Sequence, residues 1–485
     1  MSIILSFCFF IFLMVAVGAI ASSRKKSTSD DYLMAGRSHG KFMIALSGAA
    51  SATSGFIMIG AVGAGYTMGM MAVLMPVSWF LGDFLFWTLF PDRINRTARN
   101  TKANTVPEFV SLMVTGNSDN GIRKLLAVIS IVFVGLYAVG QFLAAGKAVN
   151  AVFDISLTPA IFISGAIILA YCAKGGLQSS IPTQFVQAII MLFTTIGMFI
   201  LALVVGGGPM QIIGELQALD ASLLAFDAGR GYLLMFIFMF GFACTAFSFD
   251  LGQPQLLVRI MATKSPEEAA KARWIYLGFM QATWITMALF GLMMKVLLPD
   301  IADPEQALPL FAKANLHPVF AGAIMAGIFA AVASTLDAQL LVLSSAIGVD
   351  LTPNFYRRMT EKYGVKYQAL VTVVVAVVMA FVAIAIVGST TVFTLIVFSA
   401  TALGVTIGLA MFISILGWRT STLAMSTSVL LALMVALIWR YYLGLSDYLI
   451  EALPAFLTGI IAHQLLIKVV PPKGKVTLDA SMPEI

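Results

Sequence analysis

Thirteen stretches of the chain, each long enough to cross a bilayer, run almost free of charge: 3–22, 42–66, 70–90, 125–150, 155–173, 185–206, 231–257, 274–298, 319–347, 367–387, 392–415, 421–443 and 449–467. About 20 apolar residues rising 1.5 Å each cross the hydrocarbon core. In lipid every backbone polar group must be satisfied internally, and runs of this length do that as helices. A chain made almost wholly of such runs is expected to be an all-α polytopic membrane protein with about thirteen transmembrane helices in the lipid bilayer. Composition supports this, since 60% of residues are apolar and only 11% charged, against about 25% charged in soluble domains. The same balance excludes a disordered chain, a disulfide scaffold and a nucleic-acid binder.

Charge orients the path. No Lys or Arg precedes the first run, whereas Arg24, Lys25 and Lys26 follow it directly. Ala19-Ile20-Ala21 imitates a cleavage site, but these flanks are wrong for a signal peptide, so the run reads as a retained helix with its N-terminus outside. On that path 24 of the 29 Lys and Arg fall on the cytoplasmic side, including five in 23–41, six in 91–124 and four each in 258–273 and 351–366. Glu215, Asp220, Asp227, Asp300, Asp303 and Glu305 collect on the other side. Lys/Arg bias sets orientation, giving an outside N-terminus and a cytoplasmic C-terminus. The net charge of +6 belongs to these loops and implies no acidic partner. The expected location is a plasma membrane, specifically a bacterial inner membrane. The tail 468–485 is too short for an attached signalling domain, and nothing in the sequence signals an oligomeric state.

Enzymatic signatures fail. Cys8, Cys172 and Cys244 lie in apolar runs, and His39, His317 and His463 are far apart, so no metal cluster forms from sequence neighbours. Gly140 and Gly146-Lys147 miss the phosphate-loop spacing, with Ala148 in place of Ser or Thr. Gly60, Gly63, Gly65 and Gly69 miss the dinucleotide spacing and read instead as helix-packing or unwinding positions. No nucleotide site and no organic cofactor are expected, and no enzyme. Active transport by such a chain must draw on an ion gradient.

Two spans look interrupted. The second carries nine small residues, Ser47-Gly48-Ala49-Ala50-Ser51-Ala52-Thr53-Ser54-Gly55, and the seventh carries Asp250-Leu251-Gly252-Gln253-Pro254. Pro removes a backbone donor and Gly tolerates strained dihedrals. If each opens a five-helix unit, 42–206 and 231–415, the breaks correspond and the units have opposite orientation. Paired interrupted helices in inverted repeats point to a midplane binding site; two unrelated packing kinks are the alternative. In the ninth span Ala331, Ser334 and Thr335 share a face at i, i+3 and i+4. Their oxygens, with carbonyls from an unwound Ala50–Thr53, suit a hard cation such as Na+; alternatively the hydroxyls bond back along their own helix. Asp83, Asp250 and Asp337 lie inside spans, where a carboxylate costs about 2.5–3.5 kcal/mol and is a functional candidate by default. Asp250 needs a cation, a proton or strong hydrogen bonds. No Lys or Arg lies in the neighbouring broken helix and Lys147 is the only base in the third core span, so a cationic solute or a proton is the expected partner, with free N–H groups at the helix break as the alternative.

These residues resemble the sodium:solute symporter family, its sodium/proline branch above all. The likeness is carried by Asp31-Tyr32-Leu33-Met34-Ala35-Gly36-Arg37-Ser38 and by Ala45-Leu46-Ser47 through Ser54-Gly55. Gly175-Gly176 with Val186-Gln187-Ala188 and Gly252-Gln253-Pro254 with Arg259 continue it, as do Ser334-Thr335-Leu336 and Gln339-Leu340-Leu341. The resemblance implies a LeuT-like inverted-repeat fold of 5+5 core helices. One extra helix at 1–22 precedes the repeats, two at 421–467 follow them, and a cytoplasmic tail ends the chain at 468–485. It also implies a sodium site at Ala50, Thr53, Ala331, Ser334 and Thr335, and a substrate site near Ser51, Ala52, Tyr137, Ala246, Asp250 and Gln253. The sequence departs from the proline branch at Ala52 and Gln184, where that branch carries acids. It departs again at Ala246 and Asp250, where the branch carries aromatics. The implied function is import of a small organic solute, amino acid-like or another small metabolite, with Na+ by alternating access. The rival readings are proton coupling through Asp250 or Asp337, and a transport-incompetent sensor or channel on the same scaffold.

Overall fold

The computed structural model describes residues 2–23, 33–117, 121–172, 176–227, 229 and 231–471. Its described residues are almost entirely helical. The main helices are α1 (Ile3–Ser23), α2 (Lys41–Gly55), α3 (Ala61–Met68), α4 (Met71–Leu89), α5 (Gly121–Phe153), α6 (Leu157–Cys172) and α7 (Gly176–Val205). There follow α8 (Tyr232–Gly252), α9 (Pro254–Met261), α10 (Arg273–Leu297), α11 (Pro318–Ser345), α12 (Val365–Ala385), α13 (Val392–Leu403), α14 (Leu409–Ile415), α15 (Thr422–Leu437) and α16 (Ala452–Val469). Among the described residues eleven helical stretches are long and apolar enough to span a bilayer, α2–α3 and α13–α14 each counting once. Two shorter apolar helical stretches, 3–13 and 157–169, fall at the first and fifth expected spans.

Small residues put α2 at the centre. It is buried from Ser47 to Gly55 and packs on α7, α10 and α11. A Cβ added at Gly55 would sit 2.5 Å from that of Ala144 on α5, so a larger side chain there would push α5 away. The Gly pattern of the second span serves packing, as read from the sequence: a Cβ at Gly65 would lie 2.2 Å from the carbonyl oxygen of Ala288 on α10. The phosphate-loop look-alike is likewise structural, with Gly146 against Ile161 of α6 and Lys147 in an ion pair.

The second interruption is sharper. Residue Gln253 is extended (φ −94°, ψ 92°) between α8 and α9. Pro254 starts α9, where its missing N–H costs nothing. Gly252 is required by contact, because a Cβ there would approach the Leu403 carbonyl oxygen to 2.3 Å. The Asp31-Tyr32 start of the family-like motif, Gly175, and 472–485 of the expected tail lie outside the described residues.

Candidate ion and substrate site

The first break falls at Ser54 (φ 51°, ψ −178°), not across Ala50–Thr53, where the helix stays wound. The reason is local. The Phe56 N–H turns to Ser54 Oγ (3.0 Å), and the Gly55 N–H is taken by Gln141 Oε1 of α5 at 2.8 Å. Side chains thereby satisfy backbone donors freed by the break, as buried polar groups require. A π-turn, Phe56–Gly60, then leads into α3.

Just before this break four oxygens converge. Ser334 Oγ lies 2.9 Å from the Ala50 carbonyl oxygen and 2.8 Å from that of Ala331, and Thr335 Oγ1 is 3.1 Å from the Ala331 oxygen. All four residues are fully buried. Both hydroxyls bond back to Ala331, the alternative reading from the sequence, and Ser334 also reaches across to α2. Thr53 stands apart. Its hydroxyl donates to Ala49 O (2.9 Å) and its carbonyl accepts from Phe56. The converging set is all hard oxygen, the donor type a small alkali or alkaline-earth cation takes.

A residue the sequence marked only as a missing acid organises the back of this cluster. Gln184 of α7 donates through Nε2 to the Ser334 carbonyl (2.8 Å) and to Asp337 Oδ2 (3.4 Å). Its Oε1 accepts from Arg259 Nη2 at 2.6 Å. Arg259 is fully buried and also donates to Ser180 Oγ at 3.3 Å. A neutral amide thus links an arginine on α9 to the Ser334 backbone and Asp337 of α11. No spacing rule connects residues 184, 259 and 334, so only their packing could reveal it.

The remaining substrate candidates divide. Ser51 bonds its own helix at Gly48 O (2.8 Å), and Ala52 is buried beside it. Tyr137 Oη lies 3.5 Å from Ser54 Oγ, and its ring is 6.1 Å from that of Phe249. Trp79, Phe249, Trp284, Phe56 and Phe393 extend this aromatic lining, with Phe56–Trp284 at 5.0 Å and Phe56–Phe393 at 5.4 Å. Gln253 is fully buried with no partner for either amide atom, a polar head available at the second break. Ala246 instead packs on α4: a Cβ at Gly82 would lie 2.6 Å from its own. Asp250 stands one turn further along α8 and is almost fully buried. Neither a base nor a free backbone N–H meets Oδ2 of Asp250.

The profile of the sodium:solute symporter family matches residues 32–430. The chain belongs to that family. Its relatives include the high-affinity proline transporter of Bacillus subtilis, 26% identical over 455 residues that cover 93% of this chain and 94% of that protein. The sodium/proline symporter of Escherichia coli is 28% identical over 475 residues, 94% of this chain and 91% of the relative. The fold matches a Na+-coupled sialic acid symporter captured substrate-bound and outward-open, with TM-score 0.76, 18% identity, and 98% and 99% of the two chains covered. This symporter thus has the LeuT-like fold expected from its sequence and is a multi-pass plasma-membrane transporter rather than an enzyme. It couples solute import to Na+.

Both charged ends of α5 are tied in this symporter. At one end Lys147 Nζ pairs with Glu305 Oε2 (2.6 Å) and Asp303 Oδ2 (2.7 Å). At the other, Arg123 Nε meets Asp350 Oδ1 at 2.8 Å, which also accepts from Thr105 Oγ1 at 2.7 Å. The sequence reading met Lys147 in the failed phosphate-loop spacing and as the only base in the third core span. Its acidic partners lie more than 150 residues away, in the segment between α10 and α11.

Proposed function

We propose that Na+ binds where α2 meets α11, held by the carbonyl oxygens of Ala50 and Ala331 and the hydroxyls of Ser334 and Thr335, with Thr53 completing the set through its carbonyl. The observation that carries this reading is Ser334 Oγ, placed within 2.9 Å of backbone oxygens from two different helices. An ion there would bridge α2 to α11, while Gln184 holds the Ser334 backbone from behind. The solute is a small organic molecule of amino-acid size. It would lie at the Ser54 and Gln253 breaks, beside the Tyr137 and Phe249 rings. Proline is the solute named for several relatives, but Ala246 and Asp250 change the second broken helix, so the substrate is drawn from that class without being proline itself. Amino acids, imino acids and small amines should be screened by thermal shift of the purified protein, with Na+ and with K+. A solute that stabilises only when Na+ is present supports the reading, because a linked ligand stabilises in proportion to its binding. Stabilisation identical in the two salts would remove it.

A further inference from the structure

A small cavity lies among α5, α9, α11 and the π-turn Ala346–Leu351 that ends α11, on the side that Lys/Arg bias assigns to the cytoplasm. Its volume is about 30 Å³, room for about two water-sized occupants. Its lining on α11 starts at Ala338, one turn beyond Ser334, and continues to Asp350. Polar side chains without partners line the rest. Ser130 of α5, Gln255 of α9 and Asp350 are 1%, 1% and 2% exposed, and Asn104 stands with them in the wall. Ser130 Oγ, Asn104 Oδ1, Asp350 Oδ2 and both amide atoms of Gln255 are buried and take part in no hydrogen bond. Buried polar atoms are nearly always paired, so their concentration in one wall marks a place for a polar occupant.

Charge decides which occupant fits. The other oxygen of Asp350 accepts from Arg123 Nε (2.8 Å) and Thr105 Oγ1 (2.7 Å), and Arg123 Nη2 also lies 3.6 Å from Glu108 Oε1. One guanidinium thus faces two carboxylates, and the trio is left with a net negative charge. Arg259 lines the cavity too, but its guanidinium is committed to Gln184, Ser180 and the Gln255 carbonyl. An anion entering here would meet the Asp350 carboxylate. A cation would meet oxygens of Asp350, Asn104, Gln255 and Ser130, all of the hard type that alkali and alkaline-earth ions take.

We propose that this cavity is a second cation site, which takes one partly hydrated alkali cation on the oxygens of Asp350, Ser130, Asn104 and Gln255. It shares no residue with the Ala50–Ala331 cluster, so each site stands without the other. An ion released from that cluster toward the cytoplasm meets this site next along α11; this role, unlike the binding itself, rests on the Na+ reading above.

Equilibrium binding of radioactive sodium, and of radioactive rubidium in place of K+, to the purified full-length protein tests this. Ser334→Ala combined with Thr335→Ala removes the hydroxyls of the first cluster and should leave one cation bound per protein at saturation, with the tighter of the two ions identifying the occupant. Added to that background, Asp350→Asn or Ser130→Leu, which fills the cavity with apolar bulk, should weaken the remaining binding at least about tenfold, as for one lost contact to a charged group. Should Asp350→Asn fail to fold once Arg123 loses its partner, Ser130→Leu and Asn104→Leu carry the measurement. Loss of all cation binding in the Ser334→Ala/Thr335→Ala protein would overturn the proposal. So would remaining binding that the cavity substitutions leave unchanged, since the cavity would then hold water only. Wild-type stoichiometry in the Ser334→Ala/Thr335→Ala protein, reduced by the cavity substitutions, would uphold this site and count against the first cluster alone.

Discussion

The Gln184 amide nitrogen donates to the Ser334 carbonyl oxygen at 2.8 Å, while its Oε1 accepts from Arg259 at 2.6 Å. One side chain therefore fixes the backbone of Ser334 and satisfies a buried guanidinium. Gln184→Leu removes both functions. Leaving a buried polar or charged group unmet costs about 1–3 kcal/mol or more, so the variant should be less stable and need roughly tenfold more Na+ for half-maximal uptake. Gln184→Glu keeps an acceptor for Arg259 and should retain stability better. Equal Na+ dependence in wild type and Gln184→Leu would separate this residue from the ion site.

The hydroxyls of Thr335 and Thr53 give a paired test of the ion site. Thr335 Oγ1 belongs to the converging cluster, whereas Thr53 Oγ1 only bonds its own helix at Ala49. Thr335→Ala should raise the Na+ concentration for half-maximal uptake by roughly tenfold, as for one unmet polar contact of about 1–3 kcal/mol. Thr53→Ala should leave it nearly unchanged, since at most a carbonyl contributes there. The readout is solute uptake in proteoliposomes against external Na+. Equal effects of the two substitutions would contradict the assignment.

Much of the architecture was legible because bilayer thickness and charge bias act on contiguous sequence. The spans, the small-residue run of α2 and the Gly252-Gln253-Pro254 break each announce themselves within a few residues. What escaped the sequence is long-range pairing. Asp250 read as a carboxylate awaiting a cationic solute or a proton; the structure buries it and leaves its Oδ2 without a partner. Ala246, placed near the substrate by resemblance alone, packs against Gly82 of α4. The position of the first break also eluded composition. All nine small residues permit a kink, and the Gln141 and Ser54 side chains, which take up the freed N–H groups, decide that it falls at Ser54.

Orientation has a direct test. Asp220 and Glu267 are both exposed and lie in loops assigned to opposite sides of the membrane. With Cys8, Cys172 and Cys244 replaced, a cysteine at Asp220 should react with an impermeant maleimide in intact cells. One at Glu267 should react only after permeabilisation. The Lys/Arg distribution dictates this outcome, and reversed labelling would invert the whole path.

Lys147 and Glu305 make the strongest structural prediction. Their side chains are 10% and 6% exposed, and Glu305 also accepts from the Val392 and Phe393 N–H groups at 3.1 and 3.0 Å. The carboxylate thus sits at the N-terminus of α13, where the helix dipole favours an anion, and simultaneously ties α13 to α5. Removing one partner of a buried pair leaves an uncompensated charge and costs about 3–5 kcal/mol. Lys147→Met should fall near the low end, because the free N–H groups of α13 continue to hold Glu305 and Asp303 stays near solvent. Its thermal midpoint in detergent should nevertheless drop clearly. Glu305→Gln should be worse, since it strands the lysine and turns an amide donor toward a backbone donor. Lys147→Met combined with Glu305→Gln should recover part of the loss, because no buried charge is then unpaired. Strictly additive losses in the double variant would show that the two residues act independently, and that Glu305 serves α13 alone.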